Sequence, residues 1–183
     1  MASAVILEIK STTQEQPPID RQIEKAGQTF LLGVPVMTDQ TSGGIQEWDG
    51  TTTTAGVTGI SKEPGSNLTA TGVAKTMSYG TVPNQPAAVN IPHGAPANDG
   101  RTGYAVAVQS TVFYGQVGPA QTTAPTDVTK QYGMTKDTDN HWFVDKAKTG
   151  AGNAIVEIVK LDFWDTTRGV HFTFLPVAIQ KLA

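Results

Sequence analysis

The residues with chemical potential come first. Ser78 has Gly80 two positions after it but Thr76 two before, and Ser61 has Gly59 before it but Glu63 after. A hydrolase nucleophile elbow needs glycine on both sides, so that the backbone can make its strained turn. No serine is followed three residues later by lysine, so both serines read as loop residues. The histidines, His93, His141 and His171, are scattered along the chain. A zinc centre is usually seeded by two ligands on one element, and no such pair exists. His93 sits in a Pro/Gly-rich loop, His141 precedes Trp142, and His171 is expected on the outer face of a strand whose inner face carries Phe172.

Asp137-Thr138-Asp139-Asn140-His141 begins like a calcium loop, with oxygen ligands at alternate positions. Trp142 stands where the sharp turn needs glycine, and no glutamate follows at the closing position. Glu47 and Asp49, either side of Trp48, form an imaginable acid and base, but such a pair needs a cleft and a raised pKa, which sequence does not supply. Gly150-Ala151-Gly152 is followed by a strand pattern and so lacks the helix N-terminus that lets a glycine-rich loop hold phosphate; it reads as a hairpin turn. Asn67-Leu68-Thr69 matches the glycosylation sequon, a match expected by chance in a chain showing no export signal. Trp48, Trp142 and Trp164 are candidates for sugar stacking, yet core or interface packing is the commoner use of such large rings. The expectation is no catalytic residue, no metal ligand and no cofactor.

Composition narrows the classes further. The chain has 183 residues, with Lys+Arg 13, Asp+Glu 16, a net charge of −3 and no cysteine. That length suits one domain with a real core. Charged residues are only 16%, against about a quarter in an average soluble protein. Without cysteine there is neither a disulfide framework nor a thiolate metal site. No apolar run approaches the roughly 18 residues that span a bilayer, so no membrane partner is expected. A pI near 5.5, with no basic cluster, argues against nucleic acid.

The elements that must position any site are strands. Val5, Leu7 and Ile9 share one face of a first strand. Phe30, Leu32, Val34 and Val36 alternate again, with Gly33 and Pro35 placing that strand at an edge or a bulge. Tyr104, Val106 and Val108, then Thr111–Tyr114, then Trp142-Phe143-Val144 follow. Ala154 to Leu161 is rich in β-branched residues and is the best candidate for a central, doubly buried strand. Val170, Phe172 and Phe174 make the last, stopped by Pro176. Turn signals such as Ser42-Gly43-Gly44, Asp49-Gly50 and Thr149-Gly150 separate them. Pro18 to Ala26 fits two turns of helix or an extended segment equally well, and Thr126 or Asp127 can cap a single turn through Tyr132 to Gly133. The sequence predicts an all-β, mainly antiparallel barrel or sandwich with one short helical turn. No internal repeat at a fixed period is visible.

Two stretches fit a core poorly. Residues 11–18 are polar and end in Pro17-Pro18, which sets residues 1–20 apart as an arm from a single domain over 21–183. Residues 62–100 are rich in Gly, Pro, Asn and Thr and read as a loop-rich insertion, a length usually kept for function or ordered by a partner. The candidate contact residues are therefore Val5, Leu7, Ile9, Pro17 and Pro18 on the arm and Val89 and Ile91 in the insertion. A low-charge surface with an exposed strand suits a protein whose work is contact, because strand edges add to a neighbour's sheet through backbone hydrogen bonds.

Ala26-Gly27-Gln28-Thr29-Phe30, Gly33-Val34-Pro35-Val36, Asp49-Gly50 and Ala55-Gly56-Val57 resemble the opening of small β-barrel decoration, or cement, proteins of tailed-bacteriophage capsids. Thr126-Asp127-Val128, Gln131 through Asp137, Trp142 to Asp145 and Val159 to Asp162 resemble the later part of such proteins. The resemblance covers about half the chain and rests on strands and turns. It implies a virion protein on the capsid exterior, present in the host cytoplasm during assembly, acting as a homotrimer that binds the major capsid protein of the expanded head. It carries over no active-site residue. The rival readings are a tail or fibre module binding a host glycan and, more weakly, a β-sandwich hydrolase.

Overall fold

The computed structural model describes residues 8–9, 18–25, 27–51, 56–65, 75–77, 89–91 and 101–180. Val5, Leu7 and Pro17 among the candidate contact residues lie outside them, as do Ser78, His93 and the sequon at Asn67. In chain order the strands are β1 (Glu8–Ile9), β2 (Ile19–Ile23), β3 (Pro35–Thr38), β4 (Ile45–Glu47), β5 (Gly59–Ser61), β6 (Lys75–Met77) and β7 (Val89–Ile91). The series continues with β8 (Arg101–Val106), β9 (Phe113–Gln116), β10 (Gln131–Lys136), β11 (Trp142–Asp145), β12 (Val156–Leu161) and β13 (Gly169–Phe174). The helical content of the described residues is one 3-10 turn, Pro125–Asp127. The fold is all-β, and every pairing between these strands is antiparallel.

The strands fall into two sheets and a small ribbon. The first sheet has the order β2-β8-β5-β3-β4, the second β9-β13-β12-β10-β11 with β1 added outside β9, and β6 pairs with β7. Numbered within its own half, each sheet runs first-fifth-fourth-second-third. Each also bends until its first and third strands meet in a single parallel bridge, Glu24 with Ile45 in one half and Val117 with Val144 in the other. The second sheet is thereby nearly closed, barrel-like. The chain thus repeats one plan with almost no repeated sequence. The unequal feature is the connection from fourth to fifth strand. In the first half it is the insertion carrying β6 and β7, and in the second it is the short turn between β12 and β13.

One contiguous apolar core runs through both halves. Val170, Phe172 and Phe174 of β13 are fully buried, as are Val156 and Ile158 of the adjacent β12. Phe113 of β9 packs edge-on to Phe174 at 5.4 Å between ring centroids. Across the seam between halves, Trp48 and Trp142 pack at 5.0 Å. Glu47 joins them, its carboxylate accepting from Trp142 Nε1 at 2.8 Å and pairing with Lys136 Nζ at 3.0 Å. A second tie is the C-terminal segment. Val57 N–H donates to Ala178 O at 2.7 Å, and Gln180 N–H returns to Val57 O at 3.0 Å. The Gln180 side chain accepts from Thr38 N–H at 2.8 Å and from the Thr58 hydroxyl at 2.6 Å, and donates to Thr38 O at 2.9 Å. Gly56 allows this approach, since a Cβ there would stand 2.5 Å from Ala178 O and 2.6 Å from Gln180 N.

Several expectations change. Of the two readings open for Pro18 to Ala26, residues 19–23 take the extended one, because β2 pairs along β8 from Ile19–Ala105 to Ile23–Arg101. The arm boundary after residue 20 falls inside β2, and Pro18 already belongs to the body through its carbonyl, which accepts from Val106 N–H at 2.9 Å. The first strand is not detached, since Glu8 and Ile9 pair with Tyr114 and Phe113. β3 is internal, between β5 and β4. Pro35 is tolerated as its first residue, where no ladder N–H is required. Leu32 and Gly33 form a turn before it, with Gly33 at φ 76. The single helical turn is shorter than expected, and Tyr132 and Gly133 lie in β10.

The clasp by Gln180 is testable. Gln180→Ala removes three side-chain hydrogen bonds and should cost about 1–3 kcal/mol, read from the shift in urea midpoint. Gly56→Ala should cost at least as much, because the added methyl meets backbone rather than a movable side chain.

Candidate functional site

The residues proposed for chemistry are occupied with structure. Ser61 is buried, donating to Leu31 O at 3.1 Å and accepting from Val34 N–H at 3.0 Å. Glu47 holds the tryptophan seam, and Asp49 Oδ1 accepts from the N–H and hydroxyl of Thr51, each at 2.8 Å. Asp137 caps its own turn, its Oδ1 accepting from Asp139 N–H at 2.9 Å and His141 N–H at 2.8 Å. Burial raises the Asp137 carboxyl, but these N–H groups and the His141 ring hold it below the ordinary carboxylate value. Among the described residues no three His, Asp or Glu side chains are gathered to hold a metal. Gly150 and Gly152, with φ 89 and φ 97, lie in the connection between β11 and β12, which is not the expected hairpin because β10 stands between those two strands in the sheet.

A buried polar trio stands beside the 3-10 turn. Asp127 accepts from Tyr132 OH at 2.7 Å, Ala124 N–H at 2.7 Å and Lys146 Nζ at 2.6 Å. Burial, followed by this bond, pushes the Tyr132 hydroxyl up to about 12. The role is architectural, because the carboxylate's acceptor capacity is used.

His171 departs most from expectation. It is buried, not on an open outer face, with its ring edge-on to Tyr114 at 5.6 Å and Nε2 3.4 Å from Asp162 Oδ1. β13 is an inner strand, paired at its edges with β9 and β12, and its burial without alternation from Gly169 to Phe172 shows that neither face is open there. The Nδ1 atom of His171 has no hydrogen-bond partner among the described residues.

Asp162 leads into the feature that stands out. Between β12 and β13, Phe163 and Trp164 are 76% and 85% exposed, with their rings 5.3 Å apart and at 87°. Trp48 and Trp142, by contrast, are buried. The turn beneath the aromatic pair is tied at many points. Asp162 Oδ2 accepts from Asp165 N–H at 3.2 Å, and Asp165 Oδ1 accepts from Arg168 N–H at 3.0 Å and Thr167 N–H at 3.3 Å. Gln116 Nε2 donates to Asp165 Oδ2 at 2.7 Å, and the Arg168 guanidinium donates twice to Val117 O, at 3.1 and 2.9 Å. The Thr123 hydroxyl donates to the carbonyls of Thr166 and Thr167. Two large aromatics are thus held in water on a backbone with little freedom left. The desolvation gain is unclaimed while the ordering entropy is already spent, which is the build of a binding hot spot.

The predicted contact residues are placed only in part. Ile9 is in β1, and Val89 and Ile91 are in β7, paired with Met77 and Lys75. Pro18 is exposed at the start of β2. Sequence reasoning weighed Trp164 as buried area and passed over Phe163. The available signal was Asp162-Phe163-Trp164-Asp165, an aromatic pair inside a turn bracketed by two residues that cap backbone N–H groups.

The turn should weaken in acid. Burial raises the Asp162 carboxyl, but the N–H of Asp165, the His171 ring and the N–H of Phe163 bring it below its ordinary value. A lowered folded pKa means stability that is present above the unfolded value of about 3.9 and lost as pH falls through the folded one. Asp162→Ala should cost about 1–3 kcal/mol at neutral pH, with the gap to the parent closing below about pH 4 in urea unfolding. Comparisons with protein-family models, with curated proteins and with solved structures find no match for this chain.

Proposed function

We propose that this protein is a structural component of a bacteriophage virion, a decoration protein that binds the outside of the capsid and bridges major capsid subunits of the expanded head. The observation that carries the reading is the exposed Phe163–Trp164 pair on its hydrogen-bonded turn, a feature suited to contact and to no reaction. It joins the resemblance of the strand-and-turn residues to capsid decoration proteins, which also implies a homotrimer on the virion surface, assembled in the host cytoplasm. β1 adds support of a second kind. Its two-residue pairing with β9 is a strand addition at a sheet edge, the same bonding an arm offers to a neighbouring subunit.

The mechanism follows from linkage. A ligand that binds only the expanded shell stabilises that shell by mass action, whatever its own size. Copies acting as one unit turn weak contacts on adjacent capsomers into effectively intramolecular ones, and avidity multiplies them.

Trp164 also favours a second reading, a tail or fibre module that binds glycan. Sugar rings stack on flat aromatic faces, and here the two rings are nearly perpendicular, so at most one offers a face. A glycan titration followed by tryptophan fluorescence separates the two: saturation would replace the capsid reading.

Mixing the protein with expanded, undecorated heads should give ordered extra density at fixed lattice positions by electron microscopy, and bare heads would reject the proposal. Deleting residues 1–17 spares β2 and the Pro18 carbonyl. The shortened chain should fold but bind heads more weakly, and undiminished binding would remove the arm from the mechanism.

A further inference from the structure

We propose that the Phe163–Trp164 turn of one copy seats in a recess on a second copy, floored by Trp48, Met134 and Ile155 and rimmed by Thr51, Lys148 and Asn153. The recess lies where the two halves meet and has a volume of about 240 Å³. It is smaller than the roughly 300–1,000 Å³ of sites for drug-sized molecules, but larger than the roughly 150 Å³ apolar cavity that admits benzene in an engineered protein. One aromatic side chain is the occupant of that size. Trp48, Met134 and Ile155 are apolar and have almost no exposure of their own, so they form a packed floor. The rim suits an indole. The side-chain carbonyl of Asn153 can accept from its N–H, and the Lys148 ammonium, anchored to Met134 O at 2.9 Å, supplies a cation for a π face.

The turn of the same copy is far from this recess. Ile155 immediately precedes β12 and Asp162 immediately follows it, so recess and turn stand at opposite ends of a six-residue strand, about 20 Å apart at 3.3 Å per residue. A Phe163–Trp164 turn that reaches the recess therefore comes from a second copy. Knob and recess are different surfaces, so the contact is head-to-tail, and its rotation decides whether copies close into a ring or continue. One seated aromatic supplies about 150–250 Å², less than the roughly 800 Å² per partner of a stable pair. A closed ring answers this, since each copy then makes two such contacts. The inference rests on the self-association in the proposed function and deepens it, but needs no capsid, so either can fail alone.

Sedimentation velocity of the full chain over a concentration series tests it. The parent should associate. Phe163→Ser with Trp164→Ser, or Asn153→Arg alone, should weaken association at least about 30-fold, the loss expected of a hot spot. Thr51→Arg serves as a second block of the recess, and circular dichroism with thermal melting shows that each variant is folded. An equimolar mixture of the turn variant with a recess variant retains a single contact and cannot close a ring, so it should associate more weakly than the parent. A parent that stays monomeric, a variant of either surface that associates normally, or a mixture that associates as well as the parent would each overturn the proposal.

Discussion

Short strands are the constraint from which the rest of this architecture follows. Most strands here have three to six residues, and an open sheet of such strands leaves too many backbone groups unpaired at its edges for the apolar area it buries. Both halves meet this in the same way, by curling until the first strand touches the third. The two curled sheets then share one core, tied by the Trp48–Trp142 seam and by the C-terminal clasp around Val57. Neither half therefore relies on long helices or on disulfides. Stability is spread over many side-chain-to-backbone bonds, as at Asp127, Ser61 and Gln180. Charged residues are correspondingly few, and several aspartates are spent on capping turns.

The strands of the second half were the most legible part of the fold. Val170, Phe172 and Phe174 alternate in sequence and are all fully buried, and Ala154 to Leu161 holds a central β12, although that strand is not doubly buried as expected, since Val159 and Lys160 are exposed. The first half was harder to read. Residues 19–23, Ile-Asp-Arg-Gln-Ile, show no alternation because four of the five are exposed, and backbone pairing with β8 decides their conformation. The shared plan of the two halves left no visible repeat, since pairing order is a property of distant segments and tolerates wholesale change of side chains. His171 misled because a period of two assumes one wet face, whereas β13 is covered on both.

The contact surface was legible only in outline. Low charge, missing chemistry and poorly packed stretches pointed to association, but the residues chosen were those that fitted no core. Phe163 and Trp164 escaped because a large aromatic is usually buried, and only the surrounding turn reveals that it is not. The bonds that hold the turn beneath these rings are made by Asp162, Asp165, Arg168, Gln116 and Thr123, from three different parts of the chain. No local pattern contains them.

The unequal connections between fourth and fifth strands bear on how the chain reaches this state. β2 must find β8 across the whole insertion, while β9 finds β13 across a span about two thirds as long. Loop closure becomes costlier with span, and distant pairings slow the search. The second half thus has the somewhat easier closure. Gln180 can lock onto Thr38 and Thr58 only after the first half has organised them, so this segment acts as a latch that closes once both halves are in place.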